Sequence, residues 1–234
     1  MLGASADWHL GASGMDYDGL LRDVNFISTL SNTKFILGGD NRNNIIQPSK
    51  MGSSHNQMPI NLQNAAFYMI IKELQQHILA IGTGNHNFWT TFASGEDWDS
   101  ELAHRLHLVY LKHRAYINLI VGEMAYPVLW MHKSRFNSSA NLTNAGKKNQ
   151  QMYYPNARII ITEHTHISDF EQYDYNKRSC VAMIPGSYNV RDDYAEMNGY
   201  GAPIPRNPCV ILYPHEDKIL PFASMYDGAK YVKE

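Results

Sequence analysis

Short apolar runs alternate with longer amphipathic segments through the first half of the chain, and this alternation limits the possible folds more than any other feature. The runs Lys34 to Leu37 and Ile78 to Ile81 have the length and apolar character of buried strands, and apolar residues at helical spacing lie before each of them. Strands joined by helical crossovers form a parallel sheet. The sequence therefore predicts an α/β fold.

The same patterns give the order of the predicted elements. Apolar spacing predicts a helix from Leu20 to Leu30, a second that begins near Pro59, and a third from Asp99 to Arg114. Further strands are predicted at residues 2–6, 116–121, 126–131, 158–162, 180–184, 210–213 and 218–222. The polar segments 41–58 and 133–151 are predicted loops, and the proline-rich segment 199–208 is predicted to lie on the surface, because proline cannot continue a ladder.

Composition narrows the class of protein. The chain has 234 residues, of which 44% are hydrophobic, and 20 Lys and Arg residues balance 22 Asp and Glu residues. This length fits a single domain over residues 1–234, and the near-neutral charge gives no overall basic field for nucleic-acid backbones. With two cysteines, no leader-like start and no apolar run long enough to span a membrane, we expect a soluble cytoplasmic protein without membrane partners.

Polar residues follow five of the predicted strands directly. The chain carries Asp-x-His, Gly-Asp, Gly-Asn-His, a lone His and His-x-His in that order, each just past the carboxyl end of a strand. Open α/β sheets form their sites at this edge, so five loops can converge on one polar pocket. Carboxylate, imidazole and amide ligands suit Mn, Fe, Zn or Co better than Ca. The residues are Asp7, His9, Asp40, Asn85, His86, His132, His164 and His166.

In motif order and placement, residues 2–170 resemble the calcineurin-like metallophosphoesterase family. The resemblance implies a four-layer α/β/β/α sandwich with mixed sheets and a centre of two divalent or trivalent metal ions, with Mn favoured. The segment from Pro185 to Tyr188, followed by Tyr194-Ala195-Glu196, is similar to bacterial and phage-encoded members. By the resemblance, Asp7, His9 and His166 hold one metal, Asn85, His132 and His164 hold the other, and Asp40 bridges them.

The resemblance also assigns roles around the metals. Asn85 and His86 are expected to bind substrate, and His86 is expected to protonate the leaving oxygen rather than to ligate metal. Three residues depart from the family pattern. Asn87 replaces an acidic residue, Glu163 replaces a glycine, and Lys133 follows His132 where glycine is common. Glu163 can support the metal ligands or face solvent, and Lys133 or Arg135 can meet substrate phosphate.

Other candidates remain open beside this set. His104, His107 and His113 compete with His132 for the lone-histidine position, although their place on a predicted helix favours a solvated face. The aromatic residues after His86 can pack in the core or line the pocket; these are Trp89, Phe92 and Trp98. His55 in the polar loop is most simply a surface residue, and Asp97, Asp99 and Glu101 fit the acidic first turn of a helix.

The predicted function is that of a metal-dependent phosphoesterase. Its substrate is expected to be a phosphodiester or phosphomonoester, with nucleotides or single-stranded nucleic acid favoured by the resemblance. A DNA exonuclease-type member of the same family is one alternative, although the acidic chain shows few basic clusters. A non-catalytic metal-binding scaffold that uses the fold for protein contacts is the other. The sequence leaves the oligomeric state open.

Overall fold

Two β-sheets form the centre of the molecule. The computed structural model describes residues 1–46, 56–138, 140–191, 196–197, 199 and 201–232. Its strands are β1 Leu2–Ser5, β2 Lys34–Leu37, β3 Ile78–Ile81, β4 Val109–Tyr110, β5 Arg114–Val121, β6 Met124–Met131, β7 Ile159–Thr162, β8 Asp169–Tyr175, β9 Arg178–Ile184, β10 Cys209–Leu212 and β11 Ile219–Phe222. Its helices are α1 Tyr17–Ser28, α2 Ile60–Leu74, α3 Asn85–Ser94, α4 Trp98–Arg105, α5 Asn144–Tyr153 and α6 Met225–Ala229.

The first sheet has the strand order β11-β10-β1-β2-β3-β4. Strands β1 to β4 are parallel, and helices connect β1 to β2 and β2 to β3, whereas β10 and β11 pair antiparallel at the other side. Because the central strands β1 to β3 are covered on both faces, they read as continuous apolar runs in the sequence. The predictions for β2 and β3 are confirmed to the residue.

The second sheet has the order β5-β6-β7-β9-β8. Its three central strands, β6, β7 and β9, are parallel, and β5 and β8 pair antiparallel at its two edges. Gly122 makes the turn of the β5–β6 hairpin with a φ of 58°, a left-handed conformation that glycine adopts without steric cost. Both sheets are therefore mixed, as predicted.

Three apolar clusters give the layers. One lies between the first sheet and helices α1, α2 and α4, and includes Phe35, Phe67 and Ile71. A second lies between the two sheets, with Ile36 facing Trp130 and Ile161 among others. The third lies between the outer face of the second sheet and the α5 region. The order of layers is α/β/β/α.

The predicted helix from Asp99 to Arg114 is wrong in its second half. Helix α4 ends at Arg105, His107 adopts a φ of 53°, and the chain then adds strand β4 to the first sheet. A β-branched and an aromatic residue, Val109 and Tyr110, form that strand, which is their usual preference. Of the competing histidines, His104 therefore lies on α4, whereas His107 and His113 lie in loops.

The predicted loop over residues 133–151 is also corrected, because α5 begins at Asn144. The buried face of α5 consists of Ala145, Gly146, Asn149 and Gln150, so no apolar repeat marks it in the sequence. Residues 201–208 lie outside helices and strands, in agreement with the surface segment predicted from the prolines. Within the residues that are described, no helix is long and apolar enough to cross a membrane. His55, Tyr194 and Ala195 lie outside the described residues.

Candidate metal centre

The chain bends sharply where β1, β2 and β7 end. Asp7, His9, Asp40, His164 and His166 have φ values of 51°, 52°, 54°, 75° and 63°, all in the left-handed region that non-glycine residues rarely adopt. In an extended strand, the side chains of residues i and i+2 point out of the same face of the sheet and lie side by side. The left-handed bends instead turn the side chains of Asp-x-His and His-x-His toward one centre, and such strained backbone is typical of functional sites.

Asp7, His9 and His166 form the first cluster. Their potential ligand atoms all lie within 4.8 Å of one another. The His9 Nε2 and His166 Nε2 atoms are 3.0 Å apart, and Asp7 Oδ1 lies 3.7 Å from His166 Nε2 and 4.0 Å from His9 Nε2. Asp7 is fully buried, and its other oxygen, Oδ2, accepts the backbone N–H of His164 at 3.0 Å. The free oxygen is therefore the one that faces the imidazoles.

Asp40, His132 and His164 form the second cluster, again with ligand atoms within 4.8 Å. Asp40 Oδ2 lies 3.0 Å from His132 Nε2, and Asn85 Oδ1 lies 3.2 Å from the same nitrogen. Asp40 also forms a third group with His9 and His86. Asp40 therefore lies between the two clusters, and His86 has a geometry that would also permit metal ligation.

Glu163 is buried and contacts His132. Its Oε2 lies 3.2 Å from His132 Nδ1 and accepts the backbone N–H of Gly39 at 2.9 Å, while Oε1 accepts the indole N–H of Trp130 at 2.6 Å. A Cβ at Gly38 would lie 1.8 Å from Oε1, so glycine at that position makes room for the carboxylate. Of the two alternatives for Glu163, the structure favours support of a ligand, because a carboxylate on the second imidazole nitrogen orients the ring.

His86 is oriented by a backbone carbonyl. Its Nδ1 donates to the carbonyl oxygen of Asn43, and its backbone N–H donates to Asp40 Oδ1 at 2.8 Å. Asn87, which stands where the family pattern has an acidic residue, accepts from Arg42 Nη2 at 2.7 Å instead. The carbonyl of Asn43 takes the place of the missing carboxylate, and nothing in residue types could have indicated this contact.

Ser187 is a further supporting residue that the sequence analysis did not single out. Its hydroxyl donates to the carbonyl oxygen of Asp7 at 2.7 Å, and its backbone N–H donates to the carbonyl oxygen of His166 at 3.1 Å. Both residues belong to the first cluster. The only signal was its place in the segment Pro185 to Tyr188.

The pKa shifts of His9, His164 and Asp40 suit metal ions. Burial lowers the pKa of His9 well below its usual value, and burial and the charge of His132 lower that of His164 to about 4. Burial opposes ionisation of Asp40, but the neighbouring imidazoles outweigh it and hold the pKa of that carboxyl well below its usual range. In these three residues the ring is neutral or the carboxyl is ionised, as metals require. Asp7 and His132 shift the other way: burial raises the pKa of the Asp7 carboxyl, and although burial lowers the pKa of His132, Asp40 and Glu163 outweigh it and raise that pKa. Metal binding at Asp7 and His132 would therefore release protons.

Unpaired buried atoms support the same conclusion. Asp7 Oδ1, His9 Nδ1 and His164 Nδ1 are buried and have no hydrogen-bond partner among the described residues. A buried polar atom without a partner costs free energy, and an ion at the first cluster would offset that cost for Asp7 Oδ1, the atom that faces the two imidazoles. The residues present therefore fit the metal ions that the resemblance implies.

The remaining candidates are placed elsewhere. Trp98 packs against Phe67 in the core, at 5.8 Å between ring centroids, and lies 4.3 Å from the Arg42 guanidinium. Asp99, expected only to be part of an acidic first turn, is buried and pairs with Arg42 at 2.8 Å. Trp89 contacts the ring of His86 at 4.2 Å and so lies beside the metal centre.

Solved structures show the same fold at low sequence identity. Wild-type Vps29 complexed with zinc from Entamoeba histolytica aligns over 94% of this chain and 96% of its own with a TM-score of 0.50 and 12% identity. Vps29 from Chaetomium thermophilum covers 91% and 82% with a TM-score of 0.50 and 10% identity. A protein from Thermus thermophilus covers 94% and 97% with a TM-score of 0.51 and 10% identity.

No protein-family model matches the chain, and no curated protein matches it in sequence. Because sequence identity is low, the structural likeness concerns the fold alone. Among these neighbours, Vps29 from Entamoeba histolytica was solved with zinc bound. The order of layers and the two mixed sheets of this chain agree with the fold of these solved structures. The predicted fold is confirmed: the chain has the α/β/β/α fold of the metallophosphoesterases.

Proposed function

We propose that this protein is a phosphoesterase that uses two metal ions to hydrolyse phosphodiester or phosphomonoester bonds, with nucleotide or nucleic-acid esters as the favoured substrates. The observation that carries this proposal is the position of Asp40, which shares one ligand group with His132 and His164 and another with His9. A carboxylate between two imidazole clusters is suited to bridge two ions. The fold and these clusters together support a metal-dependent phosphoesterase.

Two divalent ions, with Mn favoured over Fe, Zn or Co, would supply Lewis acidity toward a phosphate oxygen and would lower the pKa of water. Asp7, His9 and His166 would hold one ion, and Asn85, His132 and His164 the other, with Asp40 shared. Asn85 contributes an amide oxygen that adds no negative charge. The centre therefore keeps the positive charge that attracts a phosphate ester.

His86 is placed to act on the leaving group. Because its Nδ1 proton is committed to the Asn43 carbonyl, its Nε2 carries a proton only when the ring is charged. In that form Nε2 can hold a phosphate oxygen or protonate the leaving alkoxide, a role worth about 10²–10⁴-fold in rate. The backbone N–H of His86 donates to Asp40 Oδ1. The residue whose ring would contact the substrate therefore also holds the carboxylate that the two ions would share.

The test is the metal content of Asp40→Asn. The parent protein is expected to retain about two equivalents of Mn, and Asp40→Asn is expected to lose metal at both positions because an amide has one neutral oxygen in place of two charged ones and cannot serve both ions. The matched control is Asp174→Asn, an exposed aspartate on β8. Elemental analysis after gel filtration measures the stoichiometry, and near two equivalents in Asp40→Asn would refute the bridging role.

Hydrolysis is tested on the same samples. The Mn-loaded parent is expected to hydrolyse a mono- or diester panel, and Asp40→Asn to lose this activity together with its metal. A parent that binds two ions and hydrolyses no ester in the panel would instead be the non-catalytic scaffold.

A further inference from the structure

Helix α3 has its polar face buried and its aromatic face exposed. Among its residues, Asn87 is the buried one, whereas Phe88 is 46% and Phe92 is 83% exposed. A surface helix ordinarily packs its apolar residues against the core. The two phenylalanines are four positions apart and therefore lie on the same side of the helix, with ring centroids 6.1 Å apart. Packing of the core does not account for them.

Polar contacts fix the rotation of α3 about its axis. Asn87 accepts from Arg42 Nη2 and donates to Thr83 Oγ1 at 3.0 Å. The side-chain amide of Asn44 donates to the carbonyl oxygen of His86, beside Asn87, at 2.6 Å. The same amide donates to Thr90 Oγ1, one turn further along α3, at 2.9 Å. The helix therefore cannot turn its phenylalanines inward without breaking these buried hydrogen bonds, and the aromatic pair is held facing outward.

The aromatic pair adjoins the metal centre. Phe88 lies one helical turn beyond Asn85, and its ring contacts the ring of His113 edge to face at 5.7 Å. The carbonyl oxygen of His113 accepts the backbone N–H of His132 at 3.2 Å. Phe88 is thus linked to the second cluster in two ways: through helix α3 to Asn85, and through His113 to His132.

Cationic side chains border the same edge. Lys133, directly after His132, and Arg135, three residues after it, are exposed, as is Lys112 beside His113. Exposed aromatic rings beside cationic side chains are the combination with which proteins bind single-stranded nucleic acids and their bases.

We infer that Phe88 and Phe92 form a stacking platform for a nucleobase carried by the phosphoester whose phosphate lies at the metal centre. This inference rests on the proposed function and names its substrate class. A free nucleotide and the end of a single-stranded nucleic acid share this chemistry. A phosphoester of a small aliphatic alcohol would reach the metals but leave the platform empty.

The test compares two hydrolysis-resistant ligands on Mn-loaded protein. Methylphosphonate occupies the metal centre alone, whereas the 5′-methylenephosphonate of adenosine adds the nucleoside. By calorimetric titration the parent is expected to bind the nucleoside compound about tenfold more tightly. Phe88→Leu and Phe92→Leu are each expected to reduce that preference about fivefold or more, with methylphosphonate affinity unchanged, because leucine keeps an apolar side chain but removes the ring.

Tyr153→Leu is the matched control, since Tyr153 is an aromatic residue of similar exposure, 53%, at the end of α5. Its preference is expected to equal that of the parent. An unchanged preference in both phenylalanine variants, or no preference in the parent, would overturn the platform while leaving the proposed function intact. Absence of metal-dependent methylphosphonate binding would instead overturn the proposed function and the platform with it.

A phosphorothioate tetrathymidylate separates the two sources of the base. Tighter binding than that of the mononucleoside compound, lost in Phe92→Leu, indicates a single strand that continues along α3. Equal binding of the two ligands indicates a free nucleotide. Either result supports the platform, provided that the phenylalanine variants weaken the binding.

Discussion

At the scale of single residues, the contacts behind the ligands differ between the two clusters. His132 rests against the buried carboxylate of Glu163, whereas Asp7 and His166 are fixed through their carbonyl oxygens by Ser187. A carboxylate on an imidazole nitrogen raises the basicity of the ligand and fixes its tautomer, but a bond to a backbone carbonyl only fixes position. An ion at the second cluster would therefore depend on a charge outside its own ligands.

Glu163→Gln tests this dependence. The amide keeps the size of the side chain but removes the charge against His132, so the affinity of the second cluster is expected to fall about 10–100-fold. The first cluster is expected to keep its affinity. Titration of the metal-free protein with Mn against a chelator measures both constants, and Glu171→Gln, near α5, is the control. Equal losses at both clusters would contradict an effect of Glu163 that is confined to the second cluster.

At the scale of elements, Arg42 joins the helices on one side of the metal centre. Its guanidinium donates to Asn64 of α2 at 2.6 Å, to Asn87 of α3 at 2.7 Å and to Asp99 of α4 at 2.8 Å. It is also stacked on Trp98 at 4.3 Å. Because Arg42 lies two residues after Asp40, this network sets the position of α3, and with it Asn85 and His86, relative to the carboxylate between the clusters.

Arg42→Met is expected to destabilise the protein by about 3–5 kcal/mol at pH 7, because it leaves the buried carboxylate of Asp99 without its cation. Burial already raises the pKa of Asp99, and loss of Arg42 raises it further. A raised carboxyl pKa means that the folded state binds the proton more readily, so the deficit is expected to narrow as the pH falls from 7 to 5.

Urea unfolding of the metal-free protein at both pH values measures the effect of Arg42→Met. Arg105→Ala on α4 is the control, since it breaks an exposed pair with Glu101 and is expected to cost less than about 1 kcal/mol. A deficit in Arg42→Met that is as small as the control's, or that widens at pH 5, would count against a buried ion pair.

The elements also show what the sequence could and could not predict. Strands β2 and β3 were predictable because each is an apolar run that ends at glycine and polar residues. Helices α3 and α5 were not, because their buried faces consist of amides, glycine and alanine, which leave no apolar repeat. Strand β8 was missed because its sequence, Asp169–Tyr175, is mostly polar and aromatic at the edge of a sheet.

For the site, the motifs placed the candidate ligands at strand ends, and the structure brings these residues together. Whether they hold metal stays a prediction. Glu163 was a candidate support from its place before His164, although its contact with His132 could not be read from the sequence. The contacts of the Asn43 carbonyl and of Ser187 could not be predicted, since these residues reach the site through tertiary structure alone. The resemblance to bacterial and phage-encoded members also stays a prediction.

At the scale of the whole molecule, each cluster draws ligands from both sheets. In the first, Asp7 and His9 follow β1 of the first sheet and His166 follows β7 of the second. In the second, Asp40 follows β2, whereas His132 and His164 follow β6 and β7. Ions at these positions would cross-link the open edge of the sandwich, which the apolar cluster between the sheets holds together elsewhere.

The metal-free protein is therefore expected to unfold in one transition, with the same midpoint by far-ultraviolet circular dichroism and by tryptophan fluorescence, because the two sheets share a core. Mn at about 100 times its dissociation constant is expected to add about 2.7 kcal/mol for each of the two sites, or roughly 10–20 °C in Tm for both. Asp40→Asn should show a much smaller shift. Two separate transitions in the metal-free protein would contradict the expected single domain.

The left-handed backbone lowers the stability of the folded state at the same five positions that carry candidate metal ligands. These positions are Asp7, His9, Asp40, His164 and His166. Each of these five positions has a conformation that glycine would adopt more cheaply, by about 1 kcal/mol or more for each residue. Glycine or asparagine at these positions would relieve the strain and would remove the candidate ligands with it. All five positions carry an acid or an imidazole in this sequence, so any gain in stability there would come at the expense of the side chains that can bind metal.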